Sequence, residues 1–275
     1  MAAKHWIGLA AITAILAVAF PAIAETPLER GAYLVRGPAH CGACHTNAAP
    51  GSPELGGGRR FAELAFTAIA ANLTPDETGV AAWSDAELVN GLRNGKRPRG
   101  SLIGPPMPIG AYRGISDADA RAIVAYLRRL KPAANKTARS SYRVPLPDSY
   151  GPIVTSVPAI DAGDPLAQGR YLAHSVAACM DCHSRPDGRG APDMANGLGV
   201  GGMEIRGPEG VMIAPNITPS GIGFYTDEQL TRVITTGERP DGSKLKGAMP
   251  VAYYANMSAG DAAAIVAYLR TLPKK

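Results

Sequence analysis

The sequence predicts an all-α protein built as two copies of one small helical unit, and three observations predict it. A Cys-x-x-Cys-His motif occurs twice, as Cys41-Gly42-Ala43-Cys44-His45 and as Cys179-Met180-Asp181-Cys182-His183. Helix-opening signals precede each copy at a fixed shift: Thr26-Pro27-Leu28 answers to Asp164-Pro165-Leu166, and Tyr33-Leu34 to Tyr171-Leu172. The closing segment of each copy reads Ile-Val-Ala-Tyr-Leu-Arg, at 123–128 and at 265–270.

Taken in order, residues 1–24 carry Lys4, an apolar run from Trp6 to Phe20 and Ala22-Ile23-Ala24, the layout of a secretory signal with its cleavage site. The run lies at the short end for spanning a bilayer, and an uncleaved N-terminal anchor is the alternative reading. A first domain is expected over 25–132, a connector over 133–163 and a second domain over 164–275. Thr26, Pro27 and Glu29 supply a cap, a proline at the first helical position and an acid three residues after the cap, so a helix starts there. Residues 46–71 and 184–215 are rich in Gly and Pro and are expected to be long loops. Asn72-Leu73-Thr74-Pro75 and Asn216-Ile217-Thr218-Pro219 mark a shared turn, either a self-contained Asx turn or a contact to a cofactor carboxylate.

Ser84 with Glu87 and Thr226 with Gln229 form capping boxes, and Gly95 and Gly237 end the helices they open. The last helices open at Ser116 and Ser258, with Asp119 and Asp261 three residues on. Ile123, Val124, Leu127 and Leu130 fall on one face, which should pack on the first helix of the same half. The connector is rich in Pro and Ser and has no amphipathic period.

The chain has 275 residues, 46% of them hydrophobic, enough for two modest cores. Aromatic content is 6%, which is sparse for that task. Net charge is +5, mild enough that nucleic-acid binding is not indicated.

Two thiols and an imidazole at these offsets form the pattern through which a c-type haem is attached by thioether bonds, with the His facing the iron. A strained disulfide or a zinc site is the competing use of such residues. All four cysteines of the chain fall in the two motifs, and zinc would need further ligands that only His40 and His174 remain to supply. Two covalently attached haem c groups are therefore expected, on Cys41, Cys44 and His45 and on Cys179, Cys182 and His183. Two such apolar plates would also compensate for the few aromatic residues. His40 and His174 are expected at the surface or beside the haem propionates.

The second axial position decides between electron transfer and chemistry at an open iron. Between Thr26 and Tyr150 the sole methionine is Met107, in Gly104-Pro105-Pro106-Met107-Pro108. Its repeat partner is Met249, also followed by proline; Met180, Met194, Met203, Met212 and Met257 are off the register. A gap-filling core role is the bland alternative for either residue. The expected iron ligands are His45 with Met107 and His183 with Met249. A thioether favours ferrous iron, so single-electron transfer at positive potential follows, with no catalytic residue.

On these motifs the chain resembles a tandem of class I cytochromes c. The two Asn-x-Thr-Pro turns, Trp83 or Phe224-Tyr225 before the middle helix, and the Met-Pro segments backed by Tyr112 and Tyr254 are similar to the cytochrome subunits of bacterial alcohol, aldehyde, sugar-acid and molybdenum-hydroxylase dehydrogenases. Many of those have three haems and a membrane-binding tail, where this chain has two motifs and ends at Lys275. The resemblance implies a non-enzymatic periplasmic carrier. Its partners would be a dehydrogenase donor and a cytochrome or oxidase acceptor, and membrane association would come through an uncleaved N-terminal segment or a partner subunit. The rival is a di-haem peroxidase, which requires one open iron. Arg93, Lys96, Arg97 and Arg99, with Lys244 and Lys246, read either as a partner-steering ring around the Met segments or as a solvated face.

Overall fold

The computed structural model describes residues 25–161, 163–188, 190–207, 210–247 and 249–275. The expected signal segment, 1–24, lies outside them. Helix α1 (Pro27–Arg36) starts at Thr26, whose side chain accepts from the Glu29 N–H while Glu29 reaches back to the cap, so the expected capping box forms. Helix α2 (Cys41–His45) is the first motif itself. The chain then makes a hairpin of β1 (Arg60–Ala62) and β2 (Phe66–Ile69), followed by α3 (Asp85–Asn94), the short α4 (Ile109–Tyr112) and α5 (Asp117–Arg129). Strand β3 (Ser141–Tyr142) pairs with β2, completing a sheet of order β1-β2-β3.

The second half repeats the series. Helix α6 (Pro165–Tyr171) runs into a π-helical turn at Leu172–Val176, then come α7 (Cys179–His183) and the hairpin of β4 (Glu204–Gly207) and β5 (Gly210–Ile213). After these come α8 (Pro219–Ile222), α9 (Asp227–Thr236), α10 (Val251–Tyr254) and α11 (Ala259–Arg270). The hairpins are an addition to the all-α expectation. They lie inside the stretches read as loops, because three or four residues among glycines are too few to register as a strand period.

In each half the first and last helices cross at a glycine. A Cβ on Gly31 would lie 2.0 Å from the Ala122 carbonyl oxygen, and one on Gly169 would lie 1.9 Å from that of Ala264. The two backbones therefore touch where a side chain would hold them apart. Around the crossing, Leu34, Ile123 and Leu127 of one half, and Leu172, Ile265 and Leu269 of the other, join a single apolar cluster shared by both halves. Full burial of each such side chain stabilises by about 2 kcal/mol. Of the face predicted on α5, Val124 turns instead to Val80 and Leu88. Arg128 and Arg270 tie the last helix to the middle one, each bonding an aspartate at its start, Asp85 or Asp227. Both capping boxes of the middle helices form, and Gly95 and Gly237 adopt left-handed φ of 64° and 68°.

The halves are joined reciprocally. The Tyr33 hydroxyl donates to Asp261 and accepts from the Ser258 N–H. In the mirror arrangement the Tyr171 hydroxyl donates to Asp119 and accepts from the Ser116 N–H. In each case a tyrosine from the other half sits between the cap and the third residue of the last helix, where a box would otherwise close. Asp119 is also paired to Arg30, and Asp261 accepts from Gln168, which stands in the place of Arg30. Residues 133–161 run extended along the first half: Val157 accepts from the Asp117 N–H, and Asn94 bonds Val154 in both directions.

Candidate functional site

Both Cys-x-x-Cys-His helices begin at a bend that the sequence reading missed. The residue before the first cysteine, His40 or Ala178, has φ of 39° or 52°, left-handed backbone that side chains disfavour. That residue reverses the chain as it leaves the first helix. The short helix then places the two cysteines and the histidine on consecutive turns.

His45 and His183 are oriented identically. Nδ1 of His45 lies 2.8 Å from the Ala71 carbonyl and Nδ1 of His183 lies 2.9 Å from that of Pro215. A carbonyl can only accept, so Nδ1 carries the proton in both rings and Nε2 keeps its lone pair. Burial pushes the pKa of each imidazole down, holding it neutral. A neutral imidazole whose far nitrogen is anchored to a carbonyl is the arrangement of a metal-bound histidine.

The cysteines are unpaired, and burial pushes the thiols of Cys41 and Cys179 up to about 12. Cys44 and Cys182 are raised for the same reason. Among the described residues no three His, Cys, Asp or Glu side chains converge as a metal-ion site requires. Zinc is thus a poor fit to this set. A haem fits it: separated thiols for thioether bonds, one Nε2 for iron, and an apolar wall. Within the second motif, Asp181 is pushed up to about 6 by burial.

Met107 and Met249 lie half-buried against the same apolar cluster that Cys41 and Cys179 border. Each is followed by the proline that precedes a four-residue helix, α4 or α10, and by a tyrosine at its end. Tyr112, buried, donates to the Ala39 carbonyl at 2.7 Å; Tyr254 donates to Ala177 at 2.8 Å. Each methionine segment is thereby tied to the backbone two residues before its own motif. Of the off-register methionines, Met180 and Met257 are buried inside that same apolar cluster, Met194 is exposed and Met212 sits on β5 beside Gly247.

One expectation, that for Arg93, changes, and two others become specific. His40 and His174 each engage a tyrosine: His40 stacks edge-on to Tyr254 at 5.7 Å, and His174 meets the Tyr268 hydroxyl at 2.6 Å. Arg93 is no part of a surface ring; it is 2% exposed and bonded to Asp117 and to the Ile115 carbonyl. The Asn72 and Asn216 side chains form Asx turns to Thr74 and Thr218, and their amides donate to Ala133 and Lys275 carbonyls.

Residues 26–127, which hold the first of the two motifs, match the family described as "Cytochrome C oxidase, cbb3-type, subunit III". Cytochrome c subunits of dehydrogenases are among the proteins to which the chain is similar. The fructose dehydrogenase cytochrome subunit of Gluconobacter japonicus is 30% identical, over 93% of this chain and 54% of its own length. The cytochrome c subunit of the quinone alcohol dehydrogenase of Gluconobacter oxydans is 32% identical, over 96% and 60%. A diheme cytochrome c-type protein of Cereibacter sphaeroides is 28% identical, over 85% and 82%. The chain thus spans little more than half the length of the two dehydrogenase subunits. Among the described residues no helix is long and apolar enough to cross a membrane.

Proposed function

We propose that the protein is a periplasmic di-haem cytochrome c, made of two tandem domains at 25–132 and 164–275, that passes single electrons as the electron-transfer subunit or acceptor of a dehydrogenase. The observation that carries this reading is the repeated set of a carbonyl-anchored imidazole, a Cys pair and a tyrosine-tethered Met-Pro segment. Cys41 and Cys44, and Cys179 and Cys182, would hold the two macrocycles, with His45 and Met107, and His183 and Met249, on the irons. The haem, when bound, supplies one-electron redox chemistry.

The protein's own groups orient the ligands. The Ala71 and Pro215 carbonyls fix which imidazole nitrogen faces inward. Tyr112 and Tyr254 hold each methionine segment in place. Met107 and Met249 would each offer the iron a soft, neutral thioether, which would favour the ferrous state and electron transfer over peroxidase chemistry. The names of the relatives support a dehydrogenase as electron donor. The test is mass spectrometry of the exported protein with copurification from its host. Two bound macrocycles and an associated dehydrogenase are expected; a single macrocycle, or rapid binding of carbon monoxide by the reduced protein, would overturn the reading.

A further inference from the structure

The two hairpins occupy equivalent places in the repeat, but their outer edges differ. In the first half β2 has β1 on one side and β3 on the other. The Ser140 hydroxyl bonds both the N–H and the carbonyl of Ile69, at 3.0 and 3.4 Å, and the Arg143 N–H donates to Ala65 at 2.8 Å. Tyr142 pairs with Phe66 and fills the space over Gly104. The edge of β2 is closed by a strand.

Strand β5 is the counterpart of β2. On the β4 side the Ala214 N–H donates to the Met203 carbonyl, and the Ala214 carbonyl accepts from the Gly202 N–H. In an antiparallel ladder the groups alternate, so Val211 and Ile213 present their N–H and C=O on the opposite edge. Among the described residues no strand lies along that edge. The Val211 and Ile213 side chains are 53% and 65% exposed. Open edges are ordinarily blunted by a charge, a proline or a bulge, and Gly210-Val211-Met212-Ile213 has none of these. It is an uncharged, strand-favouring edge, and the first half displays what such an edge takes in this fold.

We propose that the outer edge of β5 is the docking site for an extended segment of a partner protein, which adds to it as an antiparallel strand just as β3 adds to β2. Backbone bonds to Val211 and Ile213 carry the contact. The first half defines the chemistry of the segment: a small hydroxyl residue opposite Ile213 and an uncharged residue opposite Val211, with basic residues outside them. This inference does not depend on the haem reading.

The test uses the full holoprotein and a synthetic peptide with the sequence of residues 139–144, Arg-Ser-Ser-Tyr-Arg-Val, as the probe. Amide exchange followed by NMR should slow about tenfold at Val211 and Ile213 when peptide is added, with Met212 unchanged. Val211→Pro removes an outward N–H that β4 does not use, so it should abolish this protection while leaving the unfolding midpoint and the visible spectrum as in the wild type. The proposal is overturned if the peptide gives no protection, or protects the proline variant equally. It is also overturned if the edge is protected without peptide, either at rising protein concentration, as edges pair between copies, or on anionic vesicles alone.

Discussion

Tyr171 donates its hydroxyl to Asp119 across the junction of the two halves at 2.7 Å, in the place where a helix cap would otherwise close on itself. Tyr33 does the same to Asp261. Burial beside these carboxylates raises both phenols, Tyr33 to about 12. Tyr171→Phe leaves the Ser116 N–H without its acceptor and takes from the Asp119 carboxylate one donor, with Arg30 still bonded to it, and should cost about 2 kcal/mol in urea unfolding. With Tyr33→Phe added, the halves lose their reciprocal hold, and the single transition should broaden or split. An unchanged, sharp transition in the double variant would show that the apolar cluster and the Asn256 bond to the Arg36 carbonyl suffice to couple the halves.

The helix crossings tolerate no side chain at their centres. Gly31→Ala and Gly169→Ala each drive a methyl into a carbonyl on the facing helix. Each should destabilise by about 3 kcal/mol, the upper range for overpacking, because backbone has to move. Gly188→Ala, at a position where a Cβ would have nothing near it, is the control and should be close to neutral. Thermal unfolding of the three variants checks the contrast.

Acid should weaken the first half through Asp117. The Ser156 hydroxyl, the Val157 N–H and Arg93 together hold its carboxyl at about 2, below the ordinary 3.8. A depressed native pKa gives stability that is present above the ordinary value and is lost as pH falls toward 2. Asp117→Asn should therefore be less stable than the wild type at pH 6, with the gap shrinking between about pH 4 and pH 2. Denaturant midpoints across that range measure it, and a gap independent of pH would contradict the assignment.

Met107→Ala and Met249→Ala test the proposed iron ligands one at a time. Each should remove the methionine-to-iron absorption band of one haem and lower that haem's potential, leaving the other intact. Met257→Ala, a core change off the repeat, should lower stability by about 3 kcal/mol and leave both bands in place.

Much of this arrangement was legible in the residues. The capping boxes at Thr26, Ser84 and Thr226 and the glycine stops at Gly95 and Gly237 are local signals and formed where the spacing put them, and Ile123, Leu127 and Leu130 of the α5 face did so too. The features that escaped reading depend on partners distant in sequence. Asp119 looked like half of a helix cap because nothing in its neighbourhood announces Tyr171. Arg93 looked like a surface charge because its burial comes from Asp117 and the Ile115 carbonyl. The hairpins β1–β2 and β4–β5 have strands of three or four residues, too short to leave a periodic trace. The left-handed bends at His40 and Ala178 fall on residue types that do not advertise such a backbone.

Tyr253 lies directly over Gly42, so close that a Cβ there would be 2.7 Å from its hydroxyl. In the repeat, Met180 stands where Gly42 does and Ala111 where Tyr253 does. Two first halves brought together in this way would set glycine opposite alanine and leave a hole, and two second halves would drive methionine into tyrosine. What began as a doubled unit has become a pair of unlike parts, a lock and its key that fit each other and no longer fit themselves.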